Sequence, residues 1–546
     1  SFRVGSSALR AQEVSRSFDY LAHAMGAAAS GLDEVLAKTS QEDLVAELKK
    51  LSPKDCEALK AALAATGATN PLKIGANVPD FNLKTTKGDF SFHSFLTGDA
   101  DKPWTLFFSH PNDFTPVCTT ELGTCHNLNA DFGKVGAKLI GLSCNTTDSH
   151  NAWSKDVLAN MGNTSEDALA FPIIADADRE IVSTLGMLDP EEKTAEGIPL
   201  PARALVILHG TTVKLTILYP ATTGRNFEEV KRILTSLQLT ASNGLATPVD
   251  WKYGEKLIVG PGVKTEDAEK KFEEFNIEQL PSGKPYLRTV KCLELTEEFT
   301  KTALVANTAK PPVGPNPLKI GATIPNFDVK TTQGDFQLHS WLTKDAATPW
   351  TIFFTHPRDF TPVCTTELGA CHLLAGKAAK LGCKLIGLSC DDTESHKAWS
   401  KDVLARCGCP GEEALAFPII ADADRSIVNK MGMIDPEERD AAGVPLPARA
   451  LIILNGTTVR LTILYPATTG RNFDEVLRTL VSLQLTADNG LATPVDWKYG
   501  ERVIVGPSVK TEDAKEKFTD LQIKELPSGK PYLRSVQCLE KGLTAP

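Results

Sequence analysis

Most of this chain is written twice, and that constrains its fold more than any other feature. Displacing the sequence by 246 residues aligns Pro71 with Pro317, Cys118 with Cys364, Arg203 with Arg449 and Cys292 with Cys538, without a gap. LTILYPATTGRNF recurs at 215 and 461, and NGLATPVDWKYGE at 243 and 489. Solenoid units run to about 20–50 residues, so a period this long marks tandem whole domains. A chain of 546 residues also exceeds what one hydrophobic core organises. The domains predicted are 71–293 and 317–546, joined by 294–316 and preceded by an extension over 1–70.

The joining segment ends in PPVGP, shows no apolar period and reads as a linker. Its 23 residues reach about 75–80 Å extended and average about 25–30 Å as a coil. That permits two side-by-side units. The extension has no counterpart in the second half. Ser40 and Ser52 suit N-caps and Pro53 a first helical position. Leu44, Leu48, Leu51, Leu59 and Leu63 form a stripe, predicting a helical hairpin that docks on the body or on another subunit. Residues 1–17 hold three arginines, five serines and one acid, like the tail of an organelle transit peptide. Mitochondrial residence is the expectation and a cytoplasmic protein the alternative.

Each copy alternates strands and helices. WTLFFSH (104–110), KLIGLSC (138–144) and RALVILHG (203–210) read as buried strands, the last forming a hairpin with TVKLTILYP. Helices are predicted from Thr119 and from Trp153, and along NFEEVKRILTSLQL, whose Phe227, Val230, Ile233, Leu234 and Leu237 share one side. The fold class is α/β with a mixed sheet. A smaller segment follows Pro248, with its own strand KLIVG and helix TEDAEKKFEEF.

The formal charge of −10 gives no general pull toward nucleic acid or an anionic membrane. No run approaches the roughly 18 apolar residues of a membrane span. Twelve cysteines are too sparse for a secreted disulfide scaffold, which favours a reducing compartment. No metal or cofactor is expected. Cys118, Cys125 and His126 lie on one helix without a second ligand pair. Cys407-Gly408-Cys409, absent from the first copy, reads as two loop thiols without a ligand role.

The chemistry centres on HPNDFTPVCTTELG and its copy HPRDFTPVCTTELG. An ordinary thiol is only about 3% ionised at pH 7, and lowering its pKa by about 2 units takes roughly 2.7 kcal/mol. Cys118 lies where a strand and loop turn into a helix, so amide N–H groups and the positive dipole end can face its sulfur. Pro111 and Pro116 stiffen the loop, and Thr115 can set its hydroxyl beside the sulfur. Glu121, read onto the first turn, can anchor an arginine, and Arg203 in IPLPARALVIL can supply one.

These motifs resemble the peroxiredoxin pattern P-x-x-x-T/S-x-x-C. LYPATTGRNF, ATPVDWK and ELPSGKPYLR extend the resemblance to the one-cysteine, peroxiredoxin-six-like branch over 71–291 and 317–537. It implies tandem thioredoxin-like domains, with cores to about 240 and 486 and small α+β subdomains at 247–293 and 493–540. It further implies Cys118 and Cys364 as peroxidatic thiolates, and Thr115 and Thr361 as hydroxyls toward peroxide. Pro111 and Pro357 would shield the pockets, Arg203 and Arg449 activate the sulfur, and Glu121 and Glu367 hold those arginines. His110 and His356 are accessory candidates, with a core role nearly as plausible. The implied activity is reduction of hydrogen peroxide and organic hydroperoxides through a sulfenic acid, with glutathione or a thioredoxin-type protein as external reductant. The competing class is a peroxide-sensing relay or an assembly protein on the same fold. An intrachain pseudo-dimer and homo-oligomers are expected. In the branch's lipase motif the stretches GDADKPW and KDAATPW lack the serine, and Thr211 and Thr457 replace the aspartate beside His93 and His339. No lipase activity is assigned.

Overall fold

The computed structural model describes residues 72–294 and 318–538, apart from 195, 242 and 441. The expected N-terminal hairpin, the transit-like segment and nearly all of the linker lie outside the described residues.

Strands form where the sequence is apolar, β-branched and aromatic. In the first half these are β1 (Trp104–Ser109), β2 (Ala137–Ser143), β3 (Ile173–Ala175), β4 (Arg203–His209) and β5 (Thr212–Tyr219). Their second-half equivalents are β6 (Trp350–Thr355), β7 (Cys383–Ser389), β8 (Ile419–Ala421), β9 (Arg449–Asn455) and β10 (Thr458–Tyr465). The three principal helices of each half are α1 (Pro116–Lys134), α2 (Thr147–Asn160) and α3 (Phe227–Ala241), then α4 (Pro362–Lys380), α5 (Thr393–Arg406) and α6 (Phe473–Asn489).

All ten strands join one sheet, in the order β8-β7-β6-β9-β10-β5-β4-β1-β2-β3. Within each half the first three strands are parallel, and the hairpin strand β4 or β9 runs against them. The halves meet by antiparallel pairing of β10 with β5, in the register Thr462–Leu218, Ile463–Ile217 and Leu464–Thr216. Ile463 is the repeat equivalent of Ile217, so the central residue faces its own counterpart. This is the isologous contact of a two-fold dimer, made inside one chain.

Side chains alternate across the sheet. Leu106 and Phe108 face the helices α1, α2 and α3, while Phe107 packs on the opposite layer with Phe92, Ile140 and Val206. The helix-side core runs from Leu122 and Trp153 through Tyr219 and Phe227 into Tyr465, Phe473 and Trp399 without a break. The junction is therefore part of the core. Buried polar pairs repeat across it: Tyr219 donates to Glu475 and Tyr465 to Glu229, each at 2.9 Å. A Cβ on Gly224 would lie 2.2 Å from the Pro494 carbonyl oxygen, and on Gly470 2.2 Å from that of Pro248, so glycine is required where the two backbones touch.

A four-stranded antiparallel sheet, opening at Leu245–Ala246 and carrying the helix Thr265–Lys271, forms the small C-terminal unit of the first half; Leu491–Ala492 and Thr511–Lys517 mark its copy. Two helix starts differ from the sequence reading. The helix expected from Thr119 begins at Pro116, because proline is tolerated at a first position where its missing N–H is not needed. The helix expected from Trp153 begins at Thr147, because the Thr146 hydroxyl accepts the Ser149 N–H and caps it. No helix among the described residues is long and apolar enough to cross a membrane.

Candidate active site

The β1 strand ends at Ser109, and after five intervening residues Thr115 serves as the N-cap of α1. Cys118 occupies the third helical position, fully buried. Glu121 thereby falls in the second turn rather than the first, on the side facing β4. Arg203, the first residue of β4, directs Nη1 to Cys118 Sγ at 3.3 Å and to Glu121 Oε2 at 2.7 Å, while its Nε donates to the Ala221 carbonyl at 2.7 Å. In the second half Arg449 Nη1 lies 3.3 Å from Cys364 Sγ and 2.7 Å from Glu367 Oε2. The Thr115 hydroxyl donates to the Asn112 carbonyl at 2.8 Å, and the Thr361 hydroxyl to that of Arg358 at 2.7 Å. Pro111 and Pro357 are buried in the same loops.

A second arginine, which the sequence reading missed, completes this network. Arg225, fully buried, donates its backbone N–H and Nε to Glu121 Oε1 and its Nη2 to Oε2, and its Nη1 to the Ser109 and Ala204 carbonyls. One carboxylate thus serves two guanidinium groups. Burial opposes ionisation of Glu121, but Arg203 and Arg225 outweigh it and hold its carboxyl below the usual range. The sequence signal was an arginine in the repeated, glycine-containing turn ATTGRNF.

The loop before the helix is held by a buried carboxylate. Asp113 faces His110 Nε2 at 3.0 Å and His150 Nδ1 at 2.9 Å, and accepts from the Ser149 hydroxyl at 2.6 Å. Burial pushes the His110 imidazole down to about 4, against the pull of Asp113. His110 is therefore neutral near pH 7, with its ring packed 5.1 Å from that of Trp153. His356 and Asp359 repeat the pattern with His396. The next residues, Phe114 and Phe360, hold φ at +52° and +51°, a left-handed conformation uncommon for non-glycine residues.

Each site is roofed by the opposite half. Thr119, next to Cys118, donates to Tyr532 OH at 3.2 Å, and Tyr532 donates to Asp156 Oδ2 at 3.0 Å. The backbone N–H and hydroxyl of Ser528 also reach Asp156, and Lys530 Nζ sits 3.4 Å from the centre of the Phe114 ring. Tyr286, Ser282 and Lys284 repeat this over Thr365, Asp402 and Phe360. Contacts separated by hundreds of residues carry no local signal, so the sequence reading could not find them.

Models of known families match both halves. The AhpC/TSA family model covers 74–214 and 320–460, and that of the C-terminal domain of 1-Cys peroxiredoxin covers 236–274 and 482–521. Peroxiredoxin-6 of Rattus norvegicus is 52% identical over 222 residues, which is 40% of this chain and 97% of that protein. The 1-Cys peroxiredoxin of Onchocerca volvulus is 50% identical over 224 residues, 40% of this chain and 95% of its own length. The crystal structure of a cysteine-to-serine mutant of the peroxiredoxin 6 of Arenicola marina is similar at 47% identity and a TM-score of 0.38, covering 40% of this chain and 97% of that one. A single relative fills one half, and the family models fill both. The chain therefore belongs to the AhpC/TSA family, as a tandem one-cysteine peroxiredoxin and hence a thiol-dependent peroxidase.

Proposed function

We propose that the chain reduces hydrogen peroxide and organic hydroperoxides at two sites, Cys118 and Cys364, each passing through a sulfenic acid, with an external thiol as the terminal reductant. The observation that carries this is a buried sulfur 3.3 Å from a guanidinium that is itself held 2.7 Å from a carboxylate, found twice. The thiolate forms an S–O bond with one peroxide oxygen as the O–O bond breaks, and the leaving alkoxide takes a proton to depart as alcohol or water. Arg203 or Arg449 stabilises the charge spread over sulfur and oxygen without reorienting, because Glu121 or Glu367 already fixes its direction. Thr115 or Thr361 and the loop prolines shape the approach.

Reduction then takes two thiols. The first forms a mixed disulfide with the sulfenic acid and releases water; the second releases the cysteine and leaves an external disulfide. Cys125 and Cys371, seven residues along the same helices, lie about two turns or roughly 10 Å away. Both are fully buried, and burial pushes their thiols well up, which makes them poor partners. Glutathione or a thioredoxin-type protein is the reductant class that follows. The test is peroxide consumption with an added thiol by the parent chain, Cys118→Ser, Cys364→Ser and the double variant. Each single variant should keep about one site's share and the double variant should lose turnover; full activity in the double variant would overturn the reading.

A further inference from the structure

The second half carries a thiol pair that the first half lacks. Cys407 is the C-cap of α5, and Cys409 follows across Gly408, whose φ of +83° turns the chain. Met161 and Asn163 stand at the equivalent positions of the first half. The two sulfurs and a ring nitrogen of His372 lie within 4.8 Å of one another. Zinc is the first chemistry such a trio suggests, but the protons oppose it. His372 Nδ1 accepts the Ala416 N–H at 3.1 Å, so the ring proton sits on Nε2, which faces Glu412 Oε1 at 3.4 Å. A metal on Nε2 would leave the ring with no proton, whereas histidine ligands keep one on the other nitrogen. His372 is instead set up as an Nε2–H donor beside two sulfurs.

We infer that Cys407 and Cys409 form a redox dithiol that returns Cys364 from sulfenic acid to thiol and closes as a disulfide between themselves. The inference rests on the peroxidatic reading of Cys364. Its geometry starts from Gly369: a Cβ there would lie 3.1 Å from Cys407 Cβ, so Cys407 packs directly on α4. Cys364 lies five residues before Gly369. If that stretch unwinds, its reach is at most about 17 Å, from an anchor that Cys407 touches. In the first half Met161 fills this contact against Gly123.

The exchange balances. The Cys409 thiol attacks the Cys364 sulfenic acid, forming a mixed disulfide and water. Cys407 then attacks the Cys409 sulfur and expels the Cys364 thiolate, whose leaving Arg449 favours. Two external thiols reopen the Cys407–Cys409 disulfide and leave as an external disulfide. Burial pushes the Cys407 thiol up to about 11, and it donates to the Leu404 carbonyl at 3.4 Å; Cys409 stands beyond the helix end, where it donates to the Cys407 carbonyl at 4.0 Å, and leads the exchange. Residues two apart in a turn fall within the roughly 4.4–6.8 Å Cα separation of a disulfide, and a ring this short is strained and readily reduced.

The test uses the full chain carrying Cys118→Ser, with and without C407M and C409N, which restore the first half's residues. One equivalent of hydrogen peroxide is added without thiol, a 1,3-dione probe captures sulfenic acid, and alkylation with peptide mapping locates disulfides. The expected result is a Cys407–Cys409 disulfide and little captured sulfenic acid at Cys364 in the parent, and at least about ten-fold more capture in the swapped chain. Equal capture in both chains overturns the inference while leaving the peroxidatic reading intact. Failure to capture any in the swapped chain overturns both. Disulfide formation at an undiminished rate in a Cys364→Ser chain, or a stoichiometric zinc ion that blocks oxidation, also overturns it.

Discussion

The two candidate sites share their cysteine–arginine–glutamate distances but differ at the second arginine and at the rim: Arg225 Nη2 lies 2.7 Å from Glu121 Oε2, whereas Arg471 Nη2 lies 3.3 Å from Glu367 Oε2. Around the sulfurs the distances coincide, 3.3 Å to the arginine and 2.7 Å from arginine to glutamate in both. At the mouth, Asn145 Nδ2 donates to Asn112 Oδ1 at 2.6 Å, an uncharged pair. The second site replaces these with Asp391 and Arg358, 3.9 Å apart, and the Arg358 side chain is 54% exposed. A further difference lies beneath the helix, where Met161 and Asn163 become Cys407 and Cys409. Buried charge tolerates little change, because removing one partner of a desolvated pair leaves the other unpaired, at about 3–5 kcal/mol. Surface charge has no such constraint. The repeat has kept the buried cysteine–arginine–glutamate geometry and changed the residues at the mouth and beneath the helix.

The largest effect should come from breaking the shared interior. With Cys364→Ser silencing the second site, Arg203→Met should lower peroxide turnover by about 10²–10³, the usual loss on removing one preorganised donor. Arg449→Met should do the same where Cys118→Ser silences the first. Unequal losses measured by stopped-flow consumption would show that the depth of the two sites is not equivalent.

Next is the reciprocal roof. Tyr532→Phe removes a hydroxyl that serves the first site from the second half, and about 1 kcal/mol predicts a roughly five-fold loss there. The second site should be untouched by Tyr532→Phe and impaired by Tyr286→Phe. A variant that impairs the site of its own half instead would refute the crossed arrangement.

The histidine anchors give a pH prediction. His110 has an ordinary imidazole pKa when unfolded and one of about 4 when folded, so the unfolded state binds the extra proton between pH 6.5 and 4. Its contribution to stability is present above that window and lost as pH falls through it, by roughly 3 kcal/mol. The stability difference between parent and His110→Gln, measured by denaturant unfolding, should shift by that amount in the parent's disfavour on acidification. No shift would mean that the imidazole is not desolvated.

The smallest effect belongs to the rim. Arg358→Asn should raise KM for an anionic thiol or hydroperoxide at the second site by about two- to three-fold at low salt, fading as ionic strength rises. Asn112→Arg should lower KM at the first. Equal salt dependence at both sites would remove the rim as the source of difference.

Much of this was legible in the sequence. Strings such as WTLFFS and RALVILH are strand-like at every position, and the repeat offset carried each assignment into the second half. Cys118, Glu121 and Arg203 are legible as a repeated motif and a strand-opening arginine, and the structure brings the three together. Arg225 is not legible in the same way, because it serves the buried carboxylate rather than the sulfur and a single cation already satisfies the motif. Read from sequence, α1 starts at Thr119, three residues late, because Pro116 suits a loop as well as a first helical position. Tyr532 and Asp156 were out of reach: each is an ordinary polar residue, and only the folded sheet brings them together over Cys118.

Because β5 meets β10 through residues one repeat apart, each half of this chain faces its sibling rather than an identical copy. A dissociable homodimer must carry every substitution on both sides, so it cannot evolve a division of labour between its two centres. Covalent continuity lifts that constraint, and it keeps the pair together at dilutions where separate subunits would drift apart, since the effective concentration within one chain is of order millimolar. Fusion therefore lets the two halves diverge while holding them together.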